Sequence, residues 1–256
     1  MTRTNVASVL RTALGSAFLL AMLCAMPAPA GAGPLETARL ALDPVPRPGP
    51  FLRTHEAGIS AAALAVTFLA DEPLHRGLSS LRDGSALDAV GEAGRFLDPL
   101  GRSKRWRLAG GIVFAGGALF GSEATARTGA LLVAATTVNE ALTMGIKFAS
   151  GRYRPFREGH DADDFRPFDA EHTSLPSGHT SAAFAAATII AARAEPWWAG
   201  ALSYTAASLV AAERVIDSKH WTSDVVLGAV TGILSARLVL LVAGGDPQPD
   251  APAANR

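Results

Sequence analysis

The sequence predicts an all-α fold, a six-helix up-and-down bundle behind an N-terminal signal segment, with membrane embedding and a soluble bundle both open. Three observations carry this. Six apolar stretches, 58–70, 108–121, 129–146, 180–192, 198–212 and 225–244, are rich in Ala, Leu and Val and lack the alternation of half-buried strands. Of the 256 residues, 49% are apolar and 18% charged, enough apolar mass for one domain with a sizeable core. Prolines gather towards the two ends, outside the periodic region, where they mark a linker and a tail.

In chain order, residues 1–30 read as a secretory signal. Arg3 and Arg11 supply the positive start, 13–26 is an apolar run, and Ala28-Pro29-Ala30 is a small-x-small cleavage pattern. Cys24, the one cysteine, leaves with that segment, so no disulfide is expected. The implied compartment is the periplasm or the periplasmic face of a bacterial inner membrane. Residues 31–50, with proline at 44, 46, 48 and 50, form an extended linker. The helical domain occupies 51–244, and 245–256 is a proline-containing tail expected to be disordered. Within the domain, 73–100 stands apart: its apolar residues recur among charges, as in an amphipathic helix pair interrupted near Gly84. Spanning a bilayer takes about 20 apolar residues; only the last stretch approaches that length, and it contains Arg237, while the third reaches it only by counting Asn139 and Glu140.

The formal charge is zero, so no global basic field exists to recruit nucleic acid. An anion site has to be local, and three pieces of the chain supply one. His220 and Asp224 are four apart and share a face if 218–226 is helical. A carboxylate there fixes the imidazole tautomer and leaves the other ring nitrogen as a nucleophile. Arg214 upstream offers a fork of donors matched to phosphate oxygens. In Pro176-Ser177-Gly178-His179, a helix start presents backbone N–H groups to an anion, with Thr173 or Ser174 as cap. His179, at the rim of that cradle, is placed to protonate a leaving oxygen. Lys147 and Arg154-Pro155 end the third stretch with a point charge and a second fork. Arg152 and Arg157 fit a plainer role, complementing the helix C-terminus. Each piece sits at a helix end, and an up-and-down bundle collects those ends on one side.

Together these residues resemble the type 2 phosphatidic acid phosphatase and vanadium haloperoxidase superfamily, whose signature has the same three parts in the same order. The likeness covers about residues 129–243, and the layout of apolar stretches is similar to the lipid phosphatase branch. It implies His220 as the nucleophile of a phosphohistidine, Asp224 as its orienting partner and His179 as the acid. It implies Lys147, Arg154, Ser177, Gly178 and Arg214 as phosphate ligands, with no metal and no cofactor. One position departs from the pattern: Glu213 stands where the family usually has serine.

The resulting expectation is a metal-independent phosphatase acting on a phosphomonoester or pyrophosphate, of a lipid or another phosphorylated small molecule. A soluble broad-range periplasmic acid phosphatase and a vanadate-dependent haloperoxidase are the alternatives, ahead of a membrane scaffold without activity. The loop 156–175 carries Glu158, Asp161, Asp163 and Asp164 without calcium-loop spacing. It reads as a solvated connection more than as a gate.

Overall fold

A computed structural model describes residues 54–80, 86–157, 159–169, 171–194 and 196–243. The signal segment, the linker and the tail lie outside the described residues. Among those described there are seven α-helices: α1 Thr54–Ser80, α2 Ala86–Leu97, α3 Ser103–Leu119, α4 Glu123–Ser150, α5 Gly178–Arg193, α6 Trp197–Ile216 and α7 Thr222–Val242. A short 3₁₀ turn, Asp98–Gly101, joins α2 to α3. The fold class is therefore all-α, with α2 added to the six helices built on the apolar stretches. The boundary drawn between 58–70 and 73–100 does not exist as a break. α1 continues through Pro73 to Ser80, and only the second half of the amphipathic segment is a separate helix.

α5 is the central element. It packs on α4, α6 and α7 and touches the 3₁₀ turn, while α3 pairs with α4, α2 with α6, and α1 with α7. Its buried face is almost entirely small: Ala182, Ala183, Ala185, Ala186 and Ala187 are buried beside Ile189 and Ile190. Small side chains let helices approach closely, and two contacts here exploit the missing Cβ of glycine. A Cβ on Gly232 would lie 2.2 Å from the Ser181 carbonyl oxygen, and one on Gly228 would lie 2.7 Å from that of Ser177. α7 is thereby seated against the first turn of α5, the seam at which the site is built.

Two caps set the directions of the chain near that seam. Ser177 is the N-cap of α5, its hydroxyl accepting from Thr180 N–H, so the cap falls on Ser177 rather than on Thr173 or Ser174. Gly151 ends α4 in the left-handed region at φ 57°, its N–H bonded to the Lys147 carbonyl. Any side chain there would strike the Arg166 carbonyl, 1.6 Å from an added Cβ. This turn swings the following residue, Arg152, inward instead of out to solvent.

Candidate active site

The three sequence pieces meet at one end of the bundle. Gly178 lies beside α4, its absent Cβ position 3.8 Å from Lys147 Cε. The Lys147 ammonium donates to the carbonyls of Thr173 and Ser174, the latter at 3.4 Å, which anchors it just ahead of the α5 start. The Asp224 carbonyl accepts from the Ser177 N–H at 2.8 Å, tying the α5 cap to the first turn of α7. That bond occupies the Ser177 N–H, and its hydroxyl caps the helix. The N–H groups of Gly178 and His179 are left to face an anion, since they precede the first intrahelical bond. The charge of Arg214 bears on both Arg154 and His179, and Lys147 and Arg154 both bear on His220. The Arg154 carbonyl accepts from the Arg157 N–H at 3.0 Å, while its guanidinium makes no hydrogen bond to protein among the described residues; the Phe156 ring lies 5.9 Å from it.

His220 does not stand on a helix. α7 begins at Thr222, and Ser218 adopts a positive φ of 54°, so His220 belongs to the tight link from α6. Its N–H donates to the Arg214 carbonyl at 3.1 Å, which couples the two site residues through the backbone. The pairing with Asp224 survives for a different reason than helical spacing. Asp224 Oδ2 accepts from the Trp221 N–H at 3.0 Å and from the Ser174 hydroxyl at 2.5 Å, and in that pose lies 3.5 Å from His220 Nδ1. Nε2 is the nitrogen left for chemistry. His220 is only 3% exposed. Burial, opposed by Asp224 and reinforced by the charges of Lys147 and Arg154, pushes its pKa down to about 4, so the ring is neutral at pH 7.

His179 sits in a more open place, its side chain about one-third exposed (33%). Its Nε2 lies 3.5 Å from Asp98 Oδ1, a carboxylate on the 3₁₀ turn that also accepts from Arg214 at 2.5 Å and from Arg102 at 2.9 Å. Burial and the neighbouring Arg214 charge, against the pull of Asp98, lower its pKa to about 4. For Asp98, burial acts upward but is outweighed by the Arg102 hydrogen bond and by the charges of His179 and Arg214, so its carboxyl titrates below the usual range. Gly101 forms the wall beneath the His179 ring: a Cβ there would lie 2.6 Å from His179 Cδ2. Neither Asp98 nor Gly101 is distinguished by the sequence; Asp98 falls at the end of the amphipathic segment and Gly101 just past it, where a lone acid or glycine has no pattern to mark it.

Glu213, the departure noted above, is fully buried and accepts from Arg214 Nε and, at 2.6 Å, from Lys219 Nζ. Arg214 is thus held between two carboxylates, Glu213 and Asp98. Arg152 requires a correction. It is not a solvated helix-end cation: it is fully buried and donates to Asp224 Oδ1 at 2.7 Å and to Asp71 of α1 at 2.8 Å.

A cavity of about 490 Å³ opens from the site. Lys147, Gly178 and His179 line it, together with Arg102, Lys104 and Arg105 at the start of α3.

Two buried or half-buried imidazoles, each backed by a carboxylate, thus gather around three cations and a helix start in an α-helical bundle. Residues 128–246 match the family model of the PAP2 superfamily. Over 76 residues the chain is 42% identical to a lipid A 1-phosphatase of Porphyromonas gingivalis, an overlap of 28% of this chain and 17% of that protein. The chain thus matches about a sixth of that relative's length. It is also similar to the crystal structure of a transmembrane PAP2-type phosphatidylglycerolphosphate phosphatase from Bacillus subtilis, at 19% identity and a TM-score of 0.45, over 70% of this chain and 92% of that one.

Proposed function

We propose that this protein is a metal-independent phosphatase that removes phosphate from a lipid phosphomonoester or pyrophosphate through a phosphohistidine on His220. The observation that carries the reading is the convergence of His220 and His179 on one cluster of three cations, Lys147, Arg154 and Arg214. Nε2 of His220 attacks phosphorus while the bond from phosphorus to the leaving oxygen breaks. That oxygen takes the proton of His179. Water then attacks phosphorus, the phosphorus–nitrogen bond breaks, and His179 accepts the proton that water releases. The three cations and the N–H groups of Gly178 and His179 stabilise the charge that builds on the equatorial oxygens, the role metal ions play in many phosphoryl transfers.

His179 is neutral in the free site. A bound phosphoryl dianion raises its pKa by direct charge interaction, so substrate binding itself readies the acid. Asp98 lies 3.5 Å from Nε2, which leaves Nδ1 as the nitrogen to serve the leaving oxygen.

A lipid substrate and a membrane location are supported by the surface. α4 and α7 are long and apolar enough to cross a bilayer by length and composition. Ile59, Val66 and Leu69 of α1 and Leu108, Ile112 and Leu119 of α3 are exposed, giving an apolar exterior around a polar site. The basic wall of the cavity suits an anionic headgroup. The N-terminal signal pattern supports a site on the periplasmic side.

The test is a phosphate-release screen of the purified full-length protein in detergent, across lipid phosphates and water-soluble phosphoesters, with and without EDTA. Release from lipid phosphates that survives EDTA is expected. Activity abolished by EDTA and restored by Mg²⁺ overturns the mechanism. Equal turnover of soluble esters, with detergent-free extraction from the periplasm, replaces the lipid reading by a soluble acid phosphatase.

A further inference from the structure

Behind the nucleophile lies a charge cluster that the mechanism above leaves unused. Arg152 and Asp71 are both fully buried. Arg152 Nη1 donates to Asp224 Oδ1 at 2.7 Å and to the Ser223 hydroxyl at 2.6 Å, and Nη2 donates to Asp71 Oδ2 at 2.8 Å. Nε and Nη2 also reach the Ala162 carbonyl, at 2.8 and 2.5 Å. Asp71 closes the ring by accepting from the Ser223 N–H at 2.8 Å and from the Ser223 hydroxyl at 2.5 Å. The rings of Phe68, Phe165 and Trp221 surround the guanidinium at 5.0 to 5.6 Å.

Packing alone does not call for this arrangement. Apolar side chains of similar volume fill such a space at equal or better stability, because each buried ion carries a large desolvation cost. What the ions achieve is a division of the Asp224 carboxylate. Oδ1 is taken by Arg152, and Oδ2 is left for the Ser174 hydroxyl, the Trp221 N–H and His220.

Resting on the reading of His220 as nucleophile, we infer that Arg152 and Asp71 are positioning residues: Asp71 clamps Arg152, and Arg152 sets the plane and effective charge of the carboxylate that orients His220. The guanidinium offsets part of the Asp224 charge, so His220 stays an unprotonated nucleophile; Asp71 limits how far that offset goes. The other charged or titratable groups bearing on the ring are Lys147 at the end of α4, Arg154 beyond it and His179 at the start of α5. All of them face the substrate side, whereas Asp71 and Arg152 act from behind.

The two residues therefore have opposite signatures. Removing the Arg152 charge strengthens Asp224 and raises the His220 pKa. Neutralising Asp71 strengthens Arg152 and lowers it. The experiment compares wild type, Arg152→Gln, Arg152→Lys and Asp71→Asn as full-length proteins in detergent, following phosphate release from a lipid phosphate against pH. Arg152→Gln is expected to lose about 100-fold in kcat, the scale of a small misplacement of a reacting group, with KM little changed. Its acid limb of kcat/KM moves to higher pH. Asp71→Asn moves that limb to lower pH with a smaller loss, and Arg152→Lys recovers part of the rate. Acid limbs unmoved in the folded variants, or moved in the same direction, overturn the inference. If Arg152→Gln does not fold, the near-isosteric Asp71→Asn decides alone: a downward shift supports the inference and an unchanged limb sinks it. A wild type that is inactive, or a His220→Ala variant with full activity, instead sinks the phosphatase reading on which it rests.

Discussion

The two histidines of the site are supported in opposite ways. His220 is 3% exposed and leans on Asp224, itself fully buried and held by Arg152, Ser174 and the Trp221 N–H. His179 has a side chain 33% exposed and meets Asp98, whose side chain is 21% exposed and answers to two arginines. One carboxylate reads Nδ1 and the other reads Nε2. A nucleophile must present one nitrogen along one line, and rigid burial serves that end. An acid that receives its proton as substrate arrives, and meets a departing alcohol, needs contact with the cavity instead.

The largest expected effect breaks the buried side. If His220 is the nucleophile as proposed, His220→Ala is expected to abolish the phosphoenzyme, with a fall in turnover of about 10⁴-fold or more, as for other nucleophile deletions. Acid-labile, alkali-stable label trapped from radioactive substrate checks it, since wild type retains that label and the variant does not. Gly101→Ala attacks the open side without removing any catalytic group. Its methyl overlaps the His179 ring, so turnover is expected to fall about 100-fold, while overpacking costs about 1–3 kcal/mol of stability; denaturation midpoints and kcat measured together separate the two. Asp98→Asn is gentler. It loosens His179 and Arg214 together, and about a tenfold loss is expected with an ester whose alcohol is a poor leaving group. An activated ester, which needs little protonation, narrows the gap, and an equal loss on both esters assigns Asp98 to phosphate binding instead.

The smallest effect is on folding. The His220 pKa is lowered to about 4 in the folded state, below its ordinary 6.5. Above pH 6.5 neither state carries the proton and the contribution is fully present. As pH falls from there towards 4, the unfolded chain binds a proton that the folded one does not, so stability declines across that window. Denaturant titrations at pH 7.5 and pH 5 are expected to show a smaller difference for His220→Ala than for wild type.

The part of this site that could be read from the sequence is the part in which residue type and spacing coincide with chemistry: Lys147 and Arg154, the run Pro176 to His179, and Arg214, His220 and Asp224. Their convergence followed from helix ends alone. The supporting shell was not legible, because its contacts are distant in sequence and locally featureless. Arg152 sits two residues from Arg154 and looks like any cation after a helix until Gly151 turns it inward. Asp98 meets His179 across more than eighty residues, from a segment whose pattern is that of an ordinary amphipathic helix. Asp71 left one trace, an acid at the edge of an otherwise apolar stretch, where a charge is costly unless paired. Helix boundaries failed at Pro73 for a similar reason: local propensity argued for a break, and α1 continues through it.

The clamp on Arg152 reaches back to α1, some fifty residues ahead of the segment that the family model recognises. A truncation that keeps residues 128–246 retains every motif residue yet strands a guanidinium in an apolar box with one of its two counter-ions gone. Homologues that share the motif are therefore not interchangeable piece by piece. A chimera that trades the leading helix must carry a carboxylate at the level of Asp71, or accept a neutral residue where Arg152 now stands.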